Sequence, residues 1–188
     1  MQPSTVTDEK MLAEFDRCAR EGTPRPESQA IRAHVPAAFW SFANTWRDVF
    51  HNGVADHGIK ELCRLYVSRS VLCEFCGNQR SIKAAKAGAV VEDQTKDLIN
   101  FESSTRYSEK QKAALAYAEM ITWDLPPTDE VWARLHKHFS EPELVEMAIS
   151  SPSPWASSAG SAPSTSSTTR SLPAPMARWP RASRIWTP

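Results

Sequence analysis

ELCRLYVSRSVLCEFCGNQR, residues 61–80, joins an apolar helix bearing one carboxylate to a Cys-x-x-Cys pair. Ile59, Leu62, Leu65, Tyr66 and Val67 recur at helical spacing, so Glu61 lies on a helix whose other positions are mostly core, where a carboxylate is partly desolvated. Cys73 and Cys76 then open a second helix that the pattern carries through Ile82, Ala84, Ala85 and Ala87 to Gly88, a C-cap residue. An i, i+3 spacing puts both sulfurs on one face of the first turn. There the free N–H groups and the positive end of the helix dipole favour thiolate over thiol, and Arg80, four residues after Cys76, adds a fixed positive charge.

The chain has 188 residues, 41% of them hydrophobic, enough for one domain with a core. Its formal net charge is zero. All 22 acids but only 18 of the 22 bases lie in residues 1–150, leaving that part at −4. No basic stripe marks a nucleic-acid surface. The start, MQPSTVTDEKM, lacks a basic segment followed by an apolar run, and no apolar stretch approaches the roughly 20 residues that span a bilayer. A cytoplasmic protein that binds neither nucleic acid nor membrane is expected. In a reducing compartment four cysteines are a poor disulfide scaffold, which turns attention to redox or metal chemistry at Cys73 and Cys76. Structural zinc needs about four ligands, and there is no second such pair. No metal and no cofactor are therefore expected, and Cys18 and Cys63 read as small buried hydrophobes.

Taken in order, residues 8–21 form an amphipathic helix through Met11, Leu12, Phe15 and Cys18, with Thr7 as its cap and Gly22 as its end. TPRPES reads as a linker. Pro36 opens an aromatic helix that runs through Phe39, Trp40, Phe42, Trp46 and Phe50 to Gly53. AVVEDQTKDLIN is a short polar helix, and Ser108 with Gln111 is a capping box that starts an Ala-rich one. Pro126-Pro127 breaks that helix. Thr128 caps the next, and Ser140 with Glu143 forms a second box before Leu144 and Met147. Sustained period-two alternation is missing, so the fold is expected to be all-α. His136 and His138 are two apart on a helix and read as surface groups. His51 and His57 flank the loop before the Glu61 helix. Glu61 itself also reads as a helix charge paired with Arg64 or Arg69.

Residues 151–188 change language. They hold 10 Ser, 7 Pro and 4 Thr and neither an acid nor a lysine, a composition that cannot continue the fold and is expected to be disordered. Third codon bases are free, and the neighbouring frame permits a sequence that regains acids and helical apolar spacing. We therefore expect a shifted frame from about residue 151, at the cost of a final helix.

Glu61, eleven residues, Cys73-x-x-Cys76 and a further residue at position 80 resembles the pattern of the carboxymuconolactone decarboxylase and alkylhydroperoxidase D-like (AhpD-like) proteins. The resemblance covers about residues 35–150, with 1–34 an N-terminal helix and linker before it. Arg80 is the departure, because peroxidases of the family usually have a His there as part of a proton relay. The resemblance implies an AhpD-like helical bundle and a thiol-dependent peroxidase that reduces hydroperoxides through a Cys73–Cys76 disulfide. It implies that Cys76 attacks the peroxide, Cys73 resolves it, an external dithiol resets the pair, and Glu61 holds or shuttles the proton. Arg80 then stabilises the thiolate without relaying protons, and His51 or His57 is left to supply an imidazole. Lactone decarboxylation is the family's other activity, and the cysteines have no part in it. A non-enzymatic or decayed helical assembly protein is the third reading. The aromatic helix over 37–51 and the Ala-rich helix predict a homo-oligomer, and the resemblance points to trimers or hexamers.

Overall fold

The structure, a computed structural model, describes residues 5–150 and is built from helices alone among them. The tail from residue 151 and its shifted-frame reading lie outside the described residues.

At the centre is α4 (His57–Ser70), almost wholly buried and capped by Asp56, whose carboxylate accepts the Ile59 N–H at 2.9 Å. It is buried because Leu62, Leu65 and Tyr66 face α8 (Glu109–Trp123), where Ala113, Ala114 and Ala118 are small enough to let the helix axes close up. Cys63 measures that approach, its thiol donating to the Ala114 carbonyl at 3.4 Å. The capping box of α8 forms as expected: Ser108 Oγ accepts the Gln111 N–H, and Gln111 Oε1 accepts the Ser108 N–H at 3.0 Å. Asp124, in the left-handed region, ends the helix before the two prolines. Thr128 caps α9 (Asp129–His136), and Glu143 bonds back to Ser140 at the start of α10 (Glu141–Ser150). Leu135, Phe139, Leu144 and Met147 from this end close the main core over α4.

Glu146 holds α10 in place. Its carboxylate accepts the N–H groups of Val54 and Ala55 at 2.8 and 2.9 Å and lies 3.2 Å from the ammonium of fully buried Lys60. Gly53 makes the approach possible, since a Cβ there would fall 2.2 Å from a Glu146 oxygen. No helix among the described residues is long and apolar enough to cross a membrane.

The N-terminal part departs from the sequence expectation in three places. The cap of α1 (Glu9–Glu21) is Asp8, not Thr7: its carboxylate reaches the N–H groups of Lys10 and Met11, and a charged acceptor also meets the helix dipole. TPRPES is not all linker, because Pro26 starts α2 (Pro26–Arg32), its fixed φ suiting a first helical position. The aromatic helix is α3 (Pro36–Thr45) followed by a π-helical turn (Trp46–His51), along which Phe42, Trp46 and Phe50 stack in series at 5.2 and 4.4 Å. Met11, Phe15, Ala30, Phe39 and Ala43 give α1–α3 a small core of their own.

Candidate active site

The path of the chain out of α4 sets where the cysteines lie. Leu72 takes the left-handed conformation (φ 58°) and the Cys73 N–H bonds back to the Ser68 carbonyl at 2.9 Å, a Schellman turn that fixes Cys73 to the helix end. Leucine pays about 1 kcal/mol to sit where glycine is usual. Cys73 then caps α5, a single turn (Glu74–Gly77), its sulfur 3.3 Å from the Cys76 N–H. The two cysteines are joined by a disulfide, Cα to Cα 5.4 Å, and both are half-buried.

The helix expected from Cys73 to Gly88 is two helices. It breaks after Gly77, and α6 (Ile82–Lys86) begins afresh with Ser81 as its cap. The reason is Glu61. Its carboxylate accepts the Ser81 N–H at 2.9 Å, and the same carboxylate holds Arg64 on two bonds of 2.7 and 2.8 Å. Arg64 in turn donates to the carbonyls of Cys76 and Gln79, each at 2.8 Å. A buried ion pair thus takes up backbone groups from 76 to 81 that a continuous helix would have used itself. Of the two partners read from the sequence for Glu61, Arg64 is the one engaged. Burial pushes the Glu61 carboxyl up, but the Arg64 charge and hydrogen bonds, with the Ser81 N–H, outweigh it and hold the group below its ordinary value. It is ionised at neutral pH.

Arg80 lies in the break between α5 and α6. Its guanidinium donates to the carbonyls of Gly77 and Gln79 and pairs with Glu92 of α7 (Glu92–Lys96) through bonds of 3.0 and 2.9 Å. His57 meets the same break from the other side. Its Nδ1 is 2.9 Å from the Phe50 carbonyl, which can only accept, so Nδ1 carries the hydrogen. In the neutral ring Nε2 accepts from the Ser81 hydroxyl at 2.7 Å, while Ser81 Oγ accepts the Ala84 N–H. Burial lowers the His57 pKa, which keeps the ring neutral.

His51 stacks on His57 at 4.7 Å and is itself buried. Burial, with the charges of Arg17 and Lys83, brings its pKa down to about 4 against an opposing hydrogen bond to the Thr23 carbonyl. Glu21, 3.1 Å away, is already held by Arg17. A group whose folded pKa is depressed stabilises the fold above its unfolded pKa and loses that contribution as pH falls through the folded one. Folding stability measured by urea should therefore decline between pH 6.5 and about 4. In His51→Phe this decline should be shallower, and identical slopes in the two proteins would contradict the assignment.

The α1–α2 connection forms one wall of the site, which nothing in the spacing of residues announced. Gly22 (φ 77°) packs so closely on the break that a Cβ would lie 2.4 Å from the Arg80 carbonyl. Next to it the Arg25 N–H donates to Gln79 Oε1, and the Arg25 guanidinium stands 5.5 Å from the ring centroid of Phe75, between the two cysteines. Arg64 was also missed as a site residue, although its i+3 position relative to Glu61 was the available signal. His136 is exposed near Glu141, away from this site.

Helices in this arrangement define a known class. No protein-family model matches the sequence, and no curated protein matches it. Among solved structures, a protein of unknown function from Agrobacterium tumefaciens, described as a candidate antioxidant defence protein AhpD, is 21% identical. It aligns at a TM-score of 0.55 over 64% of this chain and 82% of its own. The debrominase Bmp8, in a cysteine-to-alanine variant bound to 2,3,4-tribromopyrrole, is 19% identical, with a TM-score of 0.64 over 80% of each chain. The fold of this chain is AhpD-like and all-α.

Proposed function

We propose that the protein is a thiol-dependent peroxidase, a dithiol–disulfide oxidoreductase working through Cys73 and Cys76. The observation that carries the reading is the pair itself, two half-buried sulfurs within bonding reach at the end of a buried helix. The likeness to an AhpD-like protein supports it. In the reduced state the Cys76 thiolate attacks the outer oxygen of a hydroperoxide. The O–O bond breaks, the alkoxide takes a proton and leaves as an alcohol, and Cys76 is left as a sulfenic acid. The Cys73 thiol displaces hydroxide from that sulfur, releasing water and forming the disulfide. An external dithiol then returns the pair to thiols and becomes a disulfide itself.

Glu61 has the role of a positioning residue in this scheme, because its two oxygens already serve Arg64 and Ser81. His57, one hydrogen bond from Ser81, is the neutral base closest to the break in sequence and in bonding. The test is a thiol count. Cys18 and Cys63 are buried and both thiols are pushed up to about 12, so neither competes. After full reduction, one equivalent of hydrogen peroxide should remove two of the four thiols. No loss, or a loss that includes Cys18 or Cys63, would overturn the reading.

Arg80→His offers a second check. It gives up the pair with Glu92, a surface contact worth at most about 1 kcal/mol. In exchange it places an imidazole where AhpD-like peroxidases carry one, and general acid–base help is worth about tenfold or more. Peroxide turnover should rise by about tenfold. A fall would show that the hold of Arg80 on Gly77 and Gln79 matters more than the missing base.

The likeness to a debrominase favours a second reading of the same dithiol. Reduction of a bromopyrrole by two thiols would yield the ring carrying hydrogen in place of bromine, bromide, a proton and the Cys73–Cys76 disulfide. Bromide release from 2,3,4-tribromopyrrole by the reduced protein, absent in Cys76→Ser, would favour this reading over peroxide reduction.

A further inference from the structure

Four arginines surround the Cys-x-x-Cys turn, and they are not equivalent. Arg64 is neutralised by Glu61, and Arg80 by Glu92. Arg25 and Arg69 are exposed and pair with no carboxylate among the described residues. The remaining residues, 1–4 and 151–188, contain no Asp or Glu, so no acidic side chain elsewhere in the chain is left to pair with them. Both guanidiniums lie against the turn. Arg25 stands over the face of Phe75, and the Nε of Arg69 is 3.8 Å from where a Cβ on Gly77 would be, the residue after Cys76. Glu92, whose carboxyl feels the Arg69 charge, already has both oxygens on Arg80. Glu74, on the outside of α5, is the one acid of the turn. It leaves the pair of arginines in excess by one charge.

Apolar surface accompanies the charge. Leu72 is 55% and Phe75 41% exposed, one on each side of Cys73. An uncharged peroxide such as hydrogen peroxide uses neither feature. An apolar body with a carboxylate at its end uses both: the body lies against Leu72 and Phe75, and the carboxylate is held by guanidiniums, whose planar forks match it. We propose that Arg25 and Arg69 form an anion-binding site beside the cysteines, and that the substrate is an amphipathic hydroperoxide bearing a carboxylate. The substrate assignment rests on the peroxidase reading above. The anion site rests only on the arrangement of the two arginines and the turn.

Two measurements keep these apart. The first is binding to the disulfide form, which involves no thiol chemistry: calorimetric affinities for 4-isopropylbenzoate and for uncharged 4-isopropylbenzyl alcohol. The benzoate should bind about tenfold more tightly, with the preference shrinking as salt is raised. In the Arg25→Gln, Arg69→Gln double variant that ratio should fall to about one. Both positions are exposed, and Arg25→Lys with Arg69→Lys, which retains charge but loses the fork, should give an intermediate ratio. Equal affinities in the wild type, or a preference that survives in the glutamine variant, would overturn the site. The second is thiol loss in the reduced protein with cumene hydroperoxide and its para-carboxylate analogue. The analogue should react about tenfold faster in the wild type, and the advantage should vanish in the glutamine variant. Benzoate binding without thiol loss to any peroxide would leave the anion site standing and overturn the peroxidase reading. Thiol loss at equal rates with both peroxides would overturn the substrate class.

Discussion

Cys76→Ser should consume no peroxide above the uncatalysed background, while Cys73→Ser should complete a single turnover and stop. This is the expected result if Cys76 takes the oxygen and Cys73 resolves it. The stalled species is a sulfenic acid, which a dimedone-type carbon nucleophile traps and mass spectrometry reads as one adduct on Cys76. The two cysteines are held by different groups. Cys73 is fixed at the end of α4 by its bond to the Ser68 carbonyl, whereas Cys76 hangs from a one-turn helix whose carbonyl is held by Arg64. Equal peroxide turnover in the wild type and Cys76→Ser would remove the thiol mechanism altogether.

The second large effect is expected at Glu61, and it is one of stability before it is one of rate. Glu61→Gln retains the shape but leaves the Arg64 guanidinium, 3% exposed, without a counter-charge. Breaking a buried pair in this way costs about 3–5 kcal/mol. The loss should also depend on pH. Because the folded-state pKa of Glu61 lies below the ordinary 4.5, its stabilisation is complete above that value and disappears as pH falls through the folded one. Urea denaturation should therefore show a wide gap between wild type and variant at pH 7, closing under strong acid. A constant gap across the range would mean that the carboxylate's charge is not what matters. Peroxide turnover should fall as well, by about a hundredfold, since a loop released by about 1 Å misplaces the reacting sulfur.

The helices that were legible in the sequence were those whose ends carry their own chemistry. Ser108 with Gln111, Thr128, and Gly22 at φ 77° are local signals, and each is found where it was expected. The Cys73–Cys76 disulfide was expected from the family resemblance, and the structure has it. The break after Gly77 was not, because it is enforced from another helix: Glu61 and Arg64, twelve or more residues away, take the backbone groups that local periodicity would assign to a helix through Gly88. Ser81 before Ile82 was the trace of it, a cap signal inside an apolar repeat that the period alone smoothed over. The start of α2 at Pro26 was hidden by its composition, since Thr, Pro, Arg and Ser suit a turn equally well. Arg25 and Gly22 reached the site by tertiary packing, and no spacing from the cysteines could have placed them there.

The contact of Glu146 with Val54, Ala55 and Lys60 also makes α10 a part of the chain that the fold cannot lose without exposing a deficit. A product ending just before residue 146 would leave two backbone N–H groups without their acceptor and a lysine ammonium sealed in the interior without its counter-ion. One ending at Ser150 retains all three. For a protease working inward from the C-terminus, the five residues 146–150 therefore include the one side chain on which all three groups depend.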